Sequence, residues 1–325
     1  MSELRYHPFL DQWVITATHR QDRTFLPPAD FNPLAPSIPG KFPTEIPFAD
    51  YDIVVFENKF PSLQFPAPAP VVNSHPIMPV LPAEGICEVI AYTSDSNATF
   101  AELPFHQVRK LTRVWKERYI DLSSKPFIEY VFIFENKGKE IGVTLFHPHG
   151  QIYAYPFIPP IPKTEIAQEL SYFSQHRIAL MGSIIQEAIA ENRVIWQSDT
   201  FVAFVPGFAR YPYEVYVVPR EHKASLEDFN PMDLDGLAEA LLVVTRKYDR
   251  LFDFSMPYIM AMHQAPCRSK SPAHWFHVEF YPPYRTANKL KYLAGSEAGV
   301  GAFINDTLPE ETAATLREIA LQPLH

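Results

Sequence analysis

The chain has 325 residues, 47% hydrophobic and 20% charged, with a formal net charge of −9. That length can bury a sizeable core in one large domain or two ordinary ones. The acidic balance excludes nucleic acid as the main partner, and no apolar run reaches the ~18 residues that would span a membrane.

The opening residues, Met1 to Arg5, lack the apolar core of a signal peptide, and Cys87 and Cys267 are too few for a disulfide framework. A cytoplasmic protein is therefore expected. In His19-Arg20-Gln21-Asp22-Arg23 two guanidiniums stand three residues apart. They are well suited to phosphate oxygens, and a small phosphorylated ligand is compatible with the overall charge. Prolines crowd the N-terminal third, as in 65–70, and predict long ordered loops.

Shifted by 126 residues, the chain matches itself weakly. Residues 88–92 fall on 214–218, 98–102 on 224–228, and 154–156 on 280–282. Between these anchors each half predicts a helix. Val108, Leu111, Val114, Trp115 and Tyr119 recur at helical spacing over 104–122, and Leu234, Leu237, Leu241 and Val244 over 231–251. Each unit reads as strand, strand, helix, strand, strand, which makes an α+β protein. The units are expected at 1–160 and 161–325, forming one compact body. Further helices are expected at 164–192, from the stripe Ile166, Leu170, Phe173, Ile178 and Leu180, and at 309–321, which opens on Pro309-Glu310-Glu311.

Phe146-His147-Pro148-His149-Gly150-Gln151 carries the most chemistry. The apolar runs 141–145 and 152–157 predict strand on either side, so His147, His149 and Gln151 are expected on one face. Three polar heads there are costly to bury without partners or work. The histidine pair suits metal ligation, acid–base chemistry, nucleophilic attack, or two satisfied structural roles. Gly150 is expected to let a phosphate approach the backbone, and Gln151 to offer an amide to its oxygens. Phe134-Glu135-Asn136-Lys137-Gly138 adds a turn with an amide and a cation. A nucleophilic histidine among phosphate-binding groups suggests nucleotidyl transfer. Only the first unit carries the pair, because the shift places Ala273 and Trp275 opposite His147 and His149.

The segment 147–151 resembles the signature of the galactose-1-phosphate uridylyltransferase family, the transferase branch of the histidine-triad superfamily. Segments 18–23, 55–61, 134–138, 280–283 and 291–297 are similar to further family segments in the same order. The resemblance spans nearly the whole chain. It implies tandem histidine-triad-like units sharing an antiparallel sheet, and a double displacement in which His149 attacks the α-phosphorus of UDP-glucose and galactose 1-phosphate takes up the uridylyl group. In that pattern the His147 carbonyl orients His149, and Gln151 stands where hydrolases carry a third histidine, favouring transfer over hydrolysis. Asn58, Lys59 and Phe60 match the uridine contacts. Asn136, Thr144 and Gln151 match phosphate contacts, and Arg20 and Arg23 lie near the sugar phosphate. Lys291 and Glu297 match hexose contacts supplied across a homodimer.

The chain departs from the family pattern at its first zinc site. Asn32 and Ala35 replace the Cys-x-x-Cys pair, and Ser96 replaces a histidine, leaving His147 without strong co-ligands. That site is expected to be lost to packing and hydrogen bonds. A second site is implied at Glu165, His263, His277 and Glu279, a set suited to zinc or iron, with a metal-free polar cluster as the alternative. In the hexose segment Ser296 and Phe303 also differ from family residues. A phosphorylase using inorganic phosphate and a non-catalytic nucleotide-binding relative are the competing functions.

Overall fold

The structure, a computed structural model, describes residues 2–22, 32–40 and 43–323. A small antiparallel sheet pairs β1 (Ser2–His7) with β2 (Gln12–Ala17) and later with β4 (Val80–Pro82). Between them lies β3 (Val54–Glu57), which belongs to the main sheet. The first half continues with β5 (Ile86–Ala91), α1 (Phe105–Ser123), β6 (Tyr130–Lys137) and β7 (His149–Tyr155). Helices α2 (Pro160–His176) and α3 (Leu180–Ala190) lead to β8 (Val194–Gln197), β9 (Phe201–Phe204) and β10 (Val215–Pro219). Then come α4 (Pro231–Leu251), β11 (Tyr258–His263), β12 (His277–Tyr281), the hairpin β13 (Tyr284–Thr286) and β14 (Lys289–Leu290), and α5 (Pro309–Glu318).

The main sheet has nine antiparallel strands in the order β3-β5-β7-β6-β11-β12-β10-β9-β8. Read outward from the β6–β11 pair, β7 mirrors β12, β5 mirrors β10 and β3 mirrors β9, with β8 as an added edge. One core covers one face. Ile90, Ile133 and Ile152 from the first half and Val217, Met260 and Val278 from the second pack beneath apolar residues of α1 and α4. The helices are also tied by Arg109 and Arg113, which bond Asp235 at 2.8 and 2.7 Å. On β7, Gly150, Ile152 and Ala154 face this core, so His149, Gln151 and Tyr153 face the other way.

Several sequence expectations need correction. The 126-residue shift holds for the helices and the 3₁₀ turns that precede them, Phe100–Glu102 and Leu226–Asp228. It fails for β5 and β10. Ile90 on β5 and Val215 and Val217 on β10 face the core, so the register between these strands is odd, and a one-residue slip exchanges faces. The run 141–145 is not a strand. Gly138 and Gly142 take φ of 99° and 81°, which favours glycine and turns the chain through a 3₁₀ segment, Lys139–Ile141. The helix expected over 164–192 is two helices, broken at Arg177, whose φ is +61°. Its stripe meets little core, with Leu170 and Ile178 exposed. The last helix stops at Glu318, short of 321. No described helix is long and apolar enough to cross a membrane.

Candidate active site and metal centre

His149 opens β7, and its Nδ1 donates to the carbonyl oxygen of His147 at 2.7 Å. A carbonyl only accepts, so a proton is on Nδ1, and in the neutral imidazole Nε2 carries the lone pair. His149 lines a cavity of about 570 Å³ together with Asn136, Lys137, His147 and Ser96. Gln151 lies on the same strand face as His149, in register with Phe134 on β6 and Val89 on β5. Thr144 belongs to the loop that walls the cavity. His147 does not share that strand face, because the strand begins only at His149.

Gly150 also serves a different purpose from the one expected. It points into the core, where a Cβ would meet the Tyr92 hydroxyl at 2.1 Å. Strand alternation turns it away from the His149 face, so its small size admits Tyr92 and not a ligand.

The His147 ring sits in a hydrogen-bonded nest of its own. The Asn32 amide Nδ2 donates to Nδ1 at 3.1 Å, so Nε2 carries the proton and lies 2.7 Å from both the Thr93 carbonyl and the Tyr51 hydroxyl. Tyr51 in turn donates to the Leu34 carbonyl at 2.7 Å. Burial holds the His147 pKa below its ordinary value, which favours this neutral form. Asn32, Ala35 and Ser96 add no strong metal donor to the one imidazole.

Arg20 reaches the same side of the sheet. Its Nη1 donates to Ser62 Oγ at 2.7 Å, the Phe60 carbonyl at 3.3 Å and the Tyr153 hydroxyl at 3.4 Å. Arg23 lies outside the described residues. The Asn58 side chain is turned back on its own loop, accepting from the Phe60 N–H at 2.9 Å, while Lys59 Nζ stands 5.9 Å from the Phe60 ring. Lys59 lines a separate concavity of about 370 Å³. Lys291 and Glu297 do not line the His149 cavity. They form a buried ion pair at 3.2 Å, and Lys291 also donates to the Ile304 carbonyl. Backbone N–H groups and then Lys291 hold the Glu297 carboxyl down to about 2.

In the second half Glu165, His263, His277 and Glu279 converge, with one ligand atom from each lying within 4.8 Å of the others. His263 Nδ1 donates to Glu165 Oε2 at 2.7 Å, and His277 Nε2 to Glu279 Oε1 at 3.1 Å. Burial opposes charge on His277, yet the hydrogen bond and field of Glu279 prevail and lift it to about 9. Burial likewise opposes the Glu279 carboxylate, but His263, His277 and Arg210 hold it down to about 2. Two imidazoles and two carboxylates in a buried cluster fit a divalent zinc or iron ion.

Sequence reasoning missed Tyr51, Arg210, Tyr281 and Glu135. Arg210 donates to Glu279 at 3.0 Å, and the Tyr281 hydroxyl also donates to this carboxylate. Glu135 lines the His149 cavity from the core side and accepts from Tyr258 at 3.1 Å. Burial pushes its carboxyl up to about 7. Strand alternation could have flagged Glu135 as a polar residue on an apolar face. Nothing local marks Tyr51 or Arg210, whose partners are distant in sequence.

A mirrored antiparallel sheet with His149 opening a strand of one half and a His/Glu cluster in the other defines an α+β class built from two similar halves. Residues 1–159 match the model for the N-terminal domain of galactose-1-phosphate uridyl transferase, and residues 165–325 match the model for its C-terminal domain. The chain is 41% identical over 326 residues to galactose-1-phosphate uridylyltransferase of Thermotoga maritima, covering 99% of this chain and 100% of that one. A solved uridylyltransferase structure is 31% identical, with a TM-score of 0.87 and coverage of 97% of each chain. An ADP-glucose phosphorylase from Arabidopsis thaliana, solved with bound ADP-glucose, shares the fold at 22% identity and a TM-score of 0.74, over 99% of this chain and 100% of that one. The chain belongs to the galactose-1-phosphate uridylyltransferase family.

Proposed function

We propose that the enzyme moves a uridylyl group from UDP-glucose to galactose 1-phosphate through a covalent intermediate on His149. The observation that carries this reading is the Nδ1–H bond from His149 to the His147 carbonyl, which presents Nε2 as the nucleophile. Nε2 attacks the α-phosphorus, a P–N bond forms, and the P–O bond to glucose 1-phosphate breaks. A phosphate oxygen of galactose 1-phosphate then attacks the same phosphorus and expels the imidazole, giving UDP-galactose. Both leaving groups depart as stable anions or a neutral imidazole, so no acid is needed to protonate a poor one. Gln151 can donate its amide to the non-bridging oxygens without activating water. The Asn32, Tyr51 and Thr93 contacts to His147 fix the loop whose carbonyl orients the nucleophile.

Asn136 and Thr144 are read as phosphate contacts, Asn58, Lys59 and Phe60 as uridine contacts, and Arg20 with Arg23 as sugar-phosphate contacts. Glu165, His263, His277 and Glu279 would hold zinc or iron, which when bound supplies a fixed double charge joining α2 to the sheet. Lys291 and Glu297 are read as hexose contacts offered to a second copy. Their segment exposes Tyr292, Leu293 and Val300, which supports a homodimer covering them.

The test is intact-mass measurement after incubation with UDP-glucose. Wild type gains one uridylyl group and His149→Gly gains none. Equal labelling of both proteins, or of neither, would overturn the mechanism.

A further inference from the structure

The second half keeps a cavity in the place where the first half has its His149 cavity. Residues 96–99 line the first, and 222–225, the counterparts at the 126-residue shift, line a cavity of about 380 Å³. Both stretches run into a short 3₁₀ turn closed by the same capping box, Thr99 with Glu102 and Ser225 with Asp228. The facing wall is in each case the loop that leads into the mirrored strand, before β7 in one half and before β12 in the other. In the second half that loop is fastened to the first wall by Ala265 N–H to the Ala224 carbonyl at 2.9 Å and Phe276 N–H to the Lys223 carbonyl at 2.7 Å.

No described side chain of β12 lines this second cavity, so it has the shape without a counterpart of His149. Its wall carries the donors Lys223, Ser225, Ser269, Lys270 and Ser271, while His222 Nε2 already donates to the His274 carbonyl at 2.7 Å. Ser271 Oγ accepts the Ala273 N–H at 3.2 Å and Ser269 Oγ accepts the Ser271 N–H at 3.5 Å, which leaves each hydroxyl proton as the group to offer. Asp228 Oδ2 is occupied by the N–H groups of Ala224 and Ser225. Lys223 is held by Asp233 at 3.1 Å. Lys270 is 80% exposed and only 3.6 Å from the half-exposed Glu227, a loose pair that an oxyanion can displace.

The geometry points to this cavity as a second, non-catalytic binding site for the phosphate group of a phosphate monoester. It is distinct from the His149 site and does not depend on the covalent mechanism.

Amide hydrogen exchange on the full-length protein reads the two cavities separately, with inorganic phosphate, UMP and glucose 1-phosphate as probes. At least one probe is expected to protect 222–228 and 267–273. Lys270→Glu and Ser271→Ala should each weaken that protection about tenfold while 138–149, the melting temperature and uridylyl labelling stay unchanged. Protection by inorganic phosphate alone identifies the anion as sufficient, and protection by only one ester adds its base or sugar to the recognised group. The proposal is overturned if no probe at millimolar concentration protects 222–228 and 267–273. It is equally overturned if both variants retain full protection there, or if protection falls at both cavities together. Loss of uridylyl labelling in the wild type would overturn the catalytic reading and leave this one standing.

Discussion

The mirrored strands β7 and β12 use the same backbone device to opposite ends. His149 Nδ1 donates to the carbonyl two residues back at 2.7 Å, and His277 Nδ1 does the same to the Trp275 carbonyl at 3.0 Å. The difference lies beyond the far nitrogen. His277 Nε2 meets the buried carboxylate of Glu279, so both ring nitrogens donate and the imidazole is held in its charged form. His149 lines an open cavity with Asn136 and Lys137. A histidine fixed in this way takes its chemistry from what faces Nε2, and the strand itself does not decide it.

The largest effect expected from breaking this comparison is at His149. His149→Gly should lower uridylyl transfer by at least about a thousandfold, since the covalent route vanishes. His277→Gln should leave labelling within about tenfold of wild type while reducing bound metal, as measured by elemental analysis against protein concentration. If both variants lose labelling equally with native melting curves, the two halves do not divide the work as argued.

Next in size is the metal. Chelation of the purified protein should lower the melting temperature, with a stabilisation on the order of 3 kcal/mol lost when the ion was near saturation. Glu165→Gln should abolish much of the chelator-induced shift, and His147→Asn should retain it. Loss of the chelator-induced shift in His147→Asn but not in Glu165→Gln would place the ion at His147 instead.

A smaller effect is expected beneath the strand that carries His149. Gly150→Ala forces a methyl against the Tyr92 hydroxyl and should destabilise the fold by about 2 kcal/mol in urea unfolding. Combining it with Tyr92→Phe should recover part of the loss, because the atom at closest approach is then gone. Simple additivity of the two changes would mean that the clash is relieved elsewhere.

These contrasts also explain what the sequence could reveal. The helices α1 and α4 were legible because a single apolar stripe on each packs on one core, and the period of such a stripe is a local property. The segment 147–151 stood out as a candidate site because histidines, proline and glycine sit within five residues. Face assignment was less secure. Gly138 and Gly142 turn the chain before the strand begins, so alternation counted from 141 put His147 on the wrong side. Alternation counted from His149 also turns Gly150 toward Tyr92, a contact with a residue 58 positions away that local pattern cannot contain. The two breaks in the second half have the same origin. Arg177 ends α2 where the apolar spacing continued, and Arg210 meets Glu279 only because β12 lies beside β10.

An effect visible only as a pH dependence separates the central pair, β6 and β11. Met260 on β11 is in register with Glu135 on β6, so the core beside the symmetry axis is apolar on one strand and carries a carboxyl on the other. Burial lifts Glu135 to about 7 from an ordinary value of 4.5, and the field of Lys137 only partly offsets this. Between those two values the unfolded chain has released a proton that the folded chain still holds. Folding stability contributed by this group is therefore complete below the unfolded value, falls as pH rises through the window, and levels off above about 7. Glu135→Gln is neutral throughout and keeps an oxygen for Tyr258, so it removes that slope. Relative to wild type the variant should gain about 3 kcal/mol between pH 4.5 and pH 7.5, read from urea midpoints at several pH values. A constant difference across that range would mean that Glu135 is ionised in the folded protein. The carboxyl would then be a buried anion balanced by Lys137, and the polar half of the axis would owe its stability to charge pairing and not to a retained proton.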